Sequence, residues 1–187
     1  MFGDGHCIVK SSDGFGGKDN QLVLLVGTCP EDWPRVLSHT DCHVAVGIHP
    51  WNVSPATSAD SLALLESHLR SDHRLRVGEI GLDKSFRYKS TFELQKQWFR
   101  EQWKLAQEWN RSVSVHCVRA HGTLVEIANE LGLPSGGVFL HSFSGSQEVA
   151  RALLRMPGEV YFGVSKKINL GHFVAKLQLV VPRPTRI

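Results

Sequence analysis

This sequence is poor in the features that would classify it quickly. It has four cysteines (Cys7, Cys29, Cys42 and Cys117) with no CxxC pair among them, which argues against a zinc ribbon, a thioredoxin-type redox centre or a disulfide-stapled secreted domain. Reduced thiols in a cytoplasmic or nuclear protein are the expectation. No apolar run approaches the roughly 20 residues of a membrane span, and Met1 to His6 lacks the basic start and apolar stretch of a signal peptide. No membrane association and no obligate protein partner are expected. Charge of one sign is also scarce: the net charge is only +3, so composition alone does not indicate a nucleic-acid binder.

What remains is ordinary for a single globular domain, 187 residues with 42% hydrophobic and 21% charged side chains. Ten histidines stand out. Histidine serves as metal ligand, acid/base or polar core residue, so placement has to decide.

Short apolar runs recur, each ending in polar residues: Val23 to Thr28, Val44 to Pro50, Val77 to Asp83, Val113 to Cys117, Val138 to Phe143 and Val160 to Val164. Their length and β-branched content suit buried parallel strands. Helical patterns lie between them over Thr57 to Leu69, Ser90 to Asn110, Gly122 to Leu131 and Gln147 to Met156. In the longest, Leu94, Trp98, Leu105 and Trp109 share a face with support from Phe99, Trp103 and Ala106, and Ser90 with Glu93 reads as a capping box. The tryptophans read as helix packing, not a base-stacking platform. Strand–helix alternation predicts an α/β fold with a parallel sheet, and six repeats favour a TIM-type (β/α)8 barrel. A shortened first unit, at the Gly/Ser-rich Lys10 to Asn20, and a missing last strand are expected, since the tail after Ile168 completes no further strand–helix unit and two prolines beside Val180 and Val181 argue against an ordinary central strand.

Polar residues collect near the expected C-terminal strand ends: His49, Glu79 with Asp83, His116 and His141. Parallel-sheet active sites gather there. Glu79 is the most informative, a carboxylate inside the run Val77-Gly78-Glu79-Ile80-Gly81-Leu82. Burial there requires compensation by a basic side chain, protonation or a metal ion. One carboxylate and two imidazoles from separate strands match zinc or manganese, and would supply it. Cys117 reads as a small core residue, not a nucleophile.

The segments "VGIHPW", "GEIGLD", "VSVHCVRA" and "LHSFSGS", in this order, resemble the TatD family of metal-dependent deoxyribonucleases, over about Val23 to Ser165. The resemblance implies a (β/α)8 barrel that cleaves phosphodiester bonds in DNA through a metal-activated water, with Mg, Mn or Zn as cofactor. It makes Glu79 the bridging metal ligand and catalytic residue. His116 and His141 complete one metal site, and Asp83 supports catalysis. His49 lies beside the site and meets substrate. Lys84, Arg87 and Lys89 follow the Glu79 strand and are placed to meet phosphates, and Arg119 is a further candidate for substrate contact. The family opens with two histidines; here His6 matches the first as a metal ligand, but Ile8 stands at the second. The family's closing Glu-Thr-Asp motif has no counterpart. One metal site is therefore expected in full and a second only in part. The alternative is a catalytically impaired relative that retains a binding role.

Overall fold

In the computed structural model of the chain, residues 6–9 and 22–163 are described. They form a seven-stranded sheet in sequence order: β1 (His6–Val9), β2 (Leu22–Gly27), β3 (His43–Val46), β4 (Arg76–Asp83), β5 (Val113–Val118), β6 (Val138–Leu140) and β7 (Val160–Phe162). Neighbours from β2 to β7 run parallel. The connecting helices are α1 (Trp33–Leu37), α2 (Asp60–Ser71), α3 (Phe92–Glu108), α4 (His121–Leu131) and α5 (Gln147–Leu154). This is the alternating α/β pattern read from the sequence, with two additions, the short helix α1 and the strand β1. Strand β1 pairs antiparallel to β2, with His6 opposite Leu25. Among the described residues no β1–β7 pairing closes the sheet. The expectations about Lys10 to Asn20 and the tail after Ile168 concern residues outside the described part.

The core lies between sheet and helices. Val46, Val77, Ile80, Leu82, Val113, Val115, Val138 and Leu140 are buried against Leu65, Leu69, Trp98, Phe99, Trp103, Leu124, Ile127 and Leu153. Helix α3 departs from the predicted stripe. Its buried face holds Phe92, Gln95, Trp98, Phe99, Gln102, Trp103 and Ala106, while Leu94, Leu105 and Trp109 are only partly buried. The expected Ser90/Glu93 capping box does not form. Ser90 sits in a 3-10 turn over Lys89–Thr91, and Thr91 caps the helix without a side-chain bond. Its hydroxyl instead donates to Tyr88 O and accepts from Gln95.

Strand β4 carries an irregularity that matters for function. It takes three steps, Val77 to Ile80, where β5 takes two, Val113 to Val115. Such a bulge re-aims the side chain beside it, and here that residue is Glu79. Gly78 (φ +157°) and Gly81 (φ +154°) have conformations that side chains rarely adopt. A Cβ on Gly81 would stand 1.9 Å from the His116 carbonyl oxygen, and one on Gly78 would stand 2.7 Å from Ser114 Cβ. The glycines around Glu79 thus permit β4 to lie close against β5, the strand that carries His116.

Candidate metal centre

The strand ends converge on one cluster. His49 follows β3, Glu79 and Asp83 lie on β4, and His116 lies on β5. Ligand atoms of His49, Glu79 and His116 all lie within 4.8 Å of one another. Glu79 Oε1 is 3.4 Å from His116 Nδ1 and 4.0 Å from His49 Nε2. It is nevertheless a buried oxygen without a hydrogen bond. Burial opposes charge on Glu79, yet the His116 imidazole, then His49 and His141, draw its pKa below the ordinary carboxylate value. A buried carboxylate that stays ionised but leaves an oxygen unsatisfied has room for a cation. Together with neighbouring imidazoles, it fits a divalent metal.

The two histidines nearest Glu79 differ in what they can offer. His116 lies between two carboxylates, with Nδ1 toward Glu79 and Nε2 3.2 Å from Asp83 Oδ2. Burial opposes its protonation, but Glu79 and then Asp83 overcome this and raise its pKa above the usual imidazole value. The arrangement suits a ligand, because one ring nitrogen can face a metal while the other donates to an orienting carboxylate. His49 is 6% exposed, and burial followed by the neighbouring His116 holds its pKa at about 3, so it is neutral. Its Nδ1 accepts the Trp51 backbone N–H at 3.2 Å. The ring proton of neutral His49 is therefore on Nε2, the atom facing Glu79. In that state His49 is a hydrogen-bond donor, even though its ring atoms lie within ligand range.

Asp83 is 2% exposed and fully engaged. Its Oδ1 accepts the Ser85 N–H at 2.8 Å, and Oδ2 accepts Trp51 Nε1–H at 2.7 Å and faces His116. Neither oxygen is idle, which fits a residue that orients His116. Behind the cluster, α3 reaches in with two fully buried amides. Gln102 Oε1 accepts Ile48 N–H at 2.6 Å and its Nε2 donates to Ile48 O, fixing the residue before His49. Gln95 Oε1 accepts Asp83 N–H at 2.7 Å.

The remaining sequence candidates lie around this cluster. His141 follows β6, and its N–H extends the β5 pairing to Val115 O. It influences both Glu79 and His49 electrostatically, and its Nε2 is 3.1 Å from Ser142 Oγ. It is not part of the three-residue group above. Lys84 and Arg87 are exposed on the loop after β4, and Arg119 is exposed just past β5 with φ +55°. The side chains of His6 and Ile8 lie outside the described part. Cys117 is buried, and burial pushes its thiol up to about 12, in keeping with a core role.

Three participants were not assigned from the sequence: Trp51, Gln95 and Gln102. Trp51 stood in a quoted motif, "VGIHPW", but nothing in one sequence showed that its indole reaches Asp83. The glutamines lie at helical spacing from Trp98 and Phe99, and polar residues on an apolar face were the available signal.

A family model described as "TatD related DNase" matches residues 14–182. A Bacillus subtilis protein named as an uncharacterized metal-dependent hydrolase, YabD, is 35% identical over 121 residues, covering 65% of this chain and 47% of its own. A 3'-5' ssDNA/RNA exonuclease TatD from Escherichia fergusonii is 29% identical over 124 residues, covering 66% of this chain and 46% of its own. The crystal structure of the Escherichia coli TatD homologue YJJV superposes with a TM-score of 0.66 at 30% identity, covering 74% of this chain and 55% of that one. The chain thus spans about half the length of these relatives.

Proposed function

The chain belongs to the TatD family of DNases, and we propose that it is a metal-dependent hydrolase of phosphodiester bonds in DNA. The observation that carries this reading is the buried, ionised and hydrogen-bond-deficient Oε1 of Glu79 beside the Nδ1 of His116. Names borne by relatives, a metal-dependent hydrolase and a 3'-5' ssDNA/RNA exonuclease, support the reaction and substrate class.

Glu79, His116 and His141 would hold one divalent cation, Mg, Mn or Zn. Such a cation, when bound, acidifies a water and offsets negative charge on phosphoryl oxygens. The chain's own residues set the stage. Asp83 keeps the His116 ring in place, acting through that ring as a positioning residue, and is itself held by Trp51 and Ser85. His49, neutral with Nε2–H directed at the cluster, donates to a phosphate oxygen. Lys84, Arg87 and Arg119, exposed on the surrounding loops, meet the substrate backbone. A second cation, with His6 as a ligand, would depend on residues outside the described part. A cytoplasmic or nuclear location accords with the unpaired Cys29, Cys42 and Cys117. Among the described residues, no helix is long and apolar enough to cross a membrane.

The test is release of nucleotides from end-labelled single-stranded DNA with Mg²⁺, Mn²⁺ or Zn²⁺ against chelator, with Glu79→Gln in parallel. Cleavage that requires metal and falls at least about 1,000-fold in the variant is expected. Cleavage equal in the two proteins would overturn the assignment.

A further inference from the structure

The loop that leaves β4, Lys84-Ser85-Phe86-Arg87-Tyr88-Lys89, alternates cations and aromatics at the rim of the Glu79 cluster. Phe86 is 83% exposed, an extreme value for a phenyl ring. Lys89 Nζ stands 4.7 Å from its ring centre. Tyr88 stacks on Trp51 at 5.2 Å with planes 12° apart, and the Arg87 guanidinium lies 5.4 Å from the Tyr88 ring centre. Trp51 is itself 53% exposed, and its Nε1–H is fixed on Asp83, the carboxylate beside His116. The Trp51–Tyr88 pair therefore runs from the surface to the cluster itself, where the Trp51 ring centre lies 4.8 Å from that of His49 and 5.6 Å from that of His116. The neighbouring cations engage the rings of Tyr88 and Phe86.

We propose that Phe86, on the same loop as the Tyr88 that stacks on Trp51, is a nucleobase platform that holds unpaired bases at the end of a single DNA strand. Lys84, Arg87 and Lys89 meet the intervening phosphates. The inference rests on the nuclease reading above and adds the residues that receive the bases. Stacking needs open base faces, which a single-stranded end offers and a duplex interior does not. Aromatic rings interleaved with cations are the combination that single-strand binding uses. The charge of the loop complements a phosphate backbone, and this argues for a nucleic-acid occupant over an apolar protein segment.

The experiment uses the full chain and two fluorescent probes that resist hydrolysis, read by anisotropy with Mg²⁺ present. One is a phosphorothioate oligo-dT; the other is an abasic phosphorothioate strand of equal length. Phe86→Ala is expected to weaken oligo-dT binding about five-fold or more and to leave the abasic strand unchanged. Phe86→Trp is expected to restore oligo-dT binding. Phe86 is outside the catalytic cluster and largely solvated, so both variants should melt with the parent protein. Equal effects of Phe86→Ala on both probes, or no effect on either, would overturn the platform while leaving the nuclease reading intact. If the unaltered chain binds neither probe, the nuclease reading itself fails and the platform falls with it.

Discussion

At the residue scale, Glu79 is a buried anion whose charge leans on its neighbours: burial opposes it, but the His116 imidazole, then His49 and His141, hold its pKa below the ordinary carboxylate value. Its Oε1 is buried without a hydrogen bond, and such groups cost roughly 1–3 kcal/mol, more when charged. Glu79→Gln keeps the shape and removes the charge. In chelator at pH 7 the variant loses the pairing of the ionised carboxylate with His116 and should melt below the parent. With Mn²⁺ added, only the parent should gain stability, because a ligand that binds the native state raises its melting point. Differential scanning calorimetry with and without metal checks both halves. His49 gives a contrasting prediction. If it is a donor and not a ligand, His49→Gln should keep Mn²⁺ affinity within a few-fold while lowering kcat, readable by calorimetric titration beside an activity assay.

His116 also makes a pH prediction with a definite sign. In the metal-free protein its pKa is raised above the ordinary 6.5 by Glu79 and Asp83. The stability from this pair is therefore full below the unfolded value and is lost as pH rises through the folded one. A histidine ligand must be neutral, so cation binding should release a proton near pH 6.5 and the apparent affinity should rise with pH. Titration calorimetry in two buffers of different ionisation enthalpy measures that proton. No buffer dependence would remove His116 from the ligand set.

At the scale of elements, the bulge in β4 and the reach of α3 place the cluster. Gly81→Ala would set a methyl 1.9 Å from the His116 carbonyl at φ +154°. A cost of about 3 kcal/mol or more is expected, with loss of metal binding ahead of loss of the fold, checked by urea unfolding and Mn²⁺ titration. Gln102→Ala would leave both polar groups of Ile48 without their buried partner. That should cost roughly 1–3 kcal/mol in the same unfolding assay.

The elements were legible to different degrees. Strands β3 to β6 could be read because β-branched runs end in polar residues, and because His49, Glu79, His116 and His141 lie on these strands or just after them. Helix α3 could be read from its period, and Trp98, Phe99, Trp103 and Ala106 are on the buried face as read, while Leu94, Leu105 and Trp109 lie at its margin. Apolar counting passed over Gln95 and Gln102, which are buried because their amides complete hydrogen bonds to the site loops. The antiparallel direction of β1 was not legible, since direction depends on pairing and not on local composition. Trp51 was visible as a residue and invisible as a contact, because the Trp51–Asp83 bond joins positions 32 apart in sequence.

At the scale of the whole molecule, six parallel strands place the ends of β3, β4, β5 and β6 on one side, and the candidate metal centre lies there, as is usual for sites on parallel sheets. Loops from those same ends carry the exposed Lys84, Phe86, Arg87 and Trp51, so the candidate ligands share one rim with the residues proposed to meet phosphates and bases. The most direct measurement is Mn²⁺ binding by calorimetric titration of the unaltered chain beside Glu79→Gln and His116→Ala. The expected result is saturable binding by the unaltered chain and a loss of about 100-fold or more in affinity in each variant. Unchanged Mn²⁺ affinity in both variants, with the proteins shown to be folded, would contradict a metal centre built on Glu79 and His116.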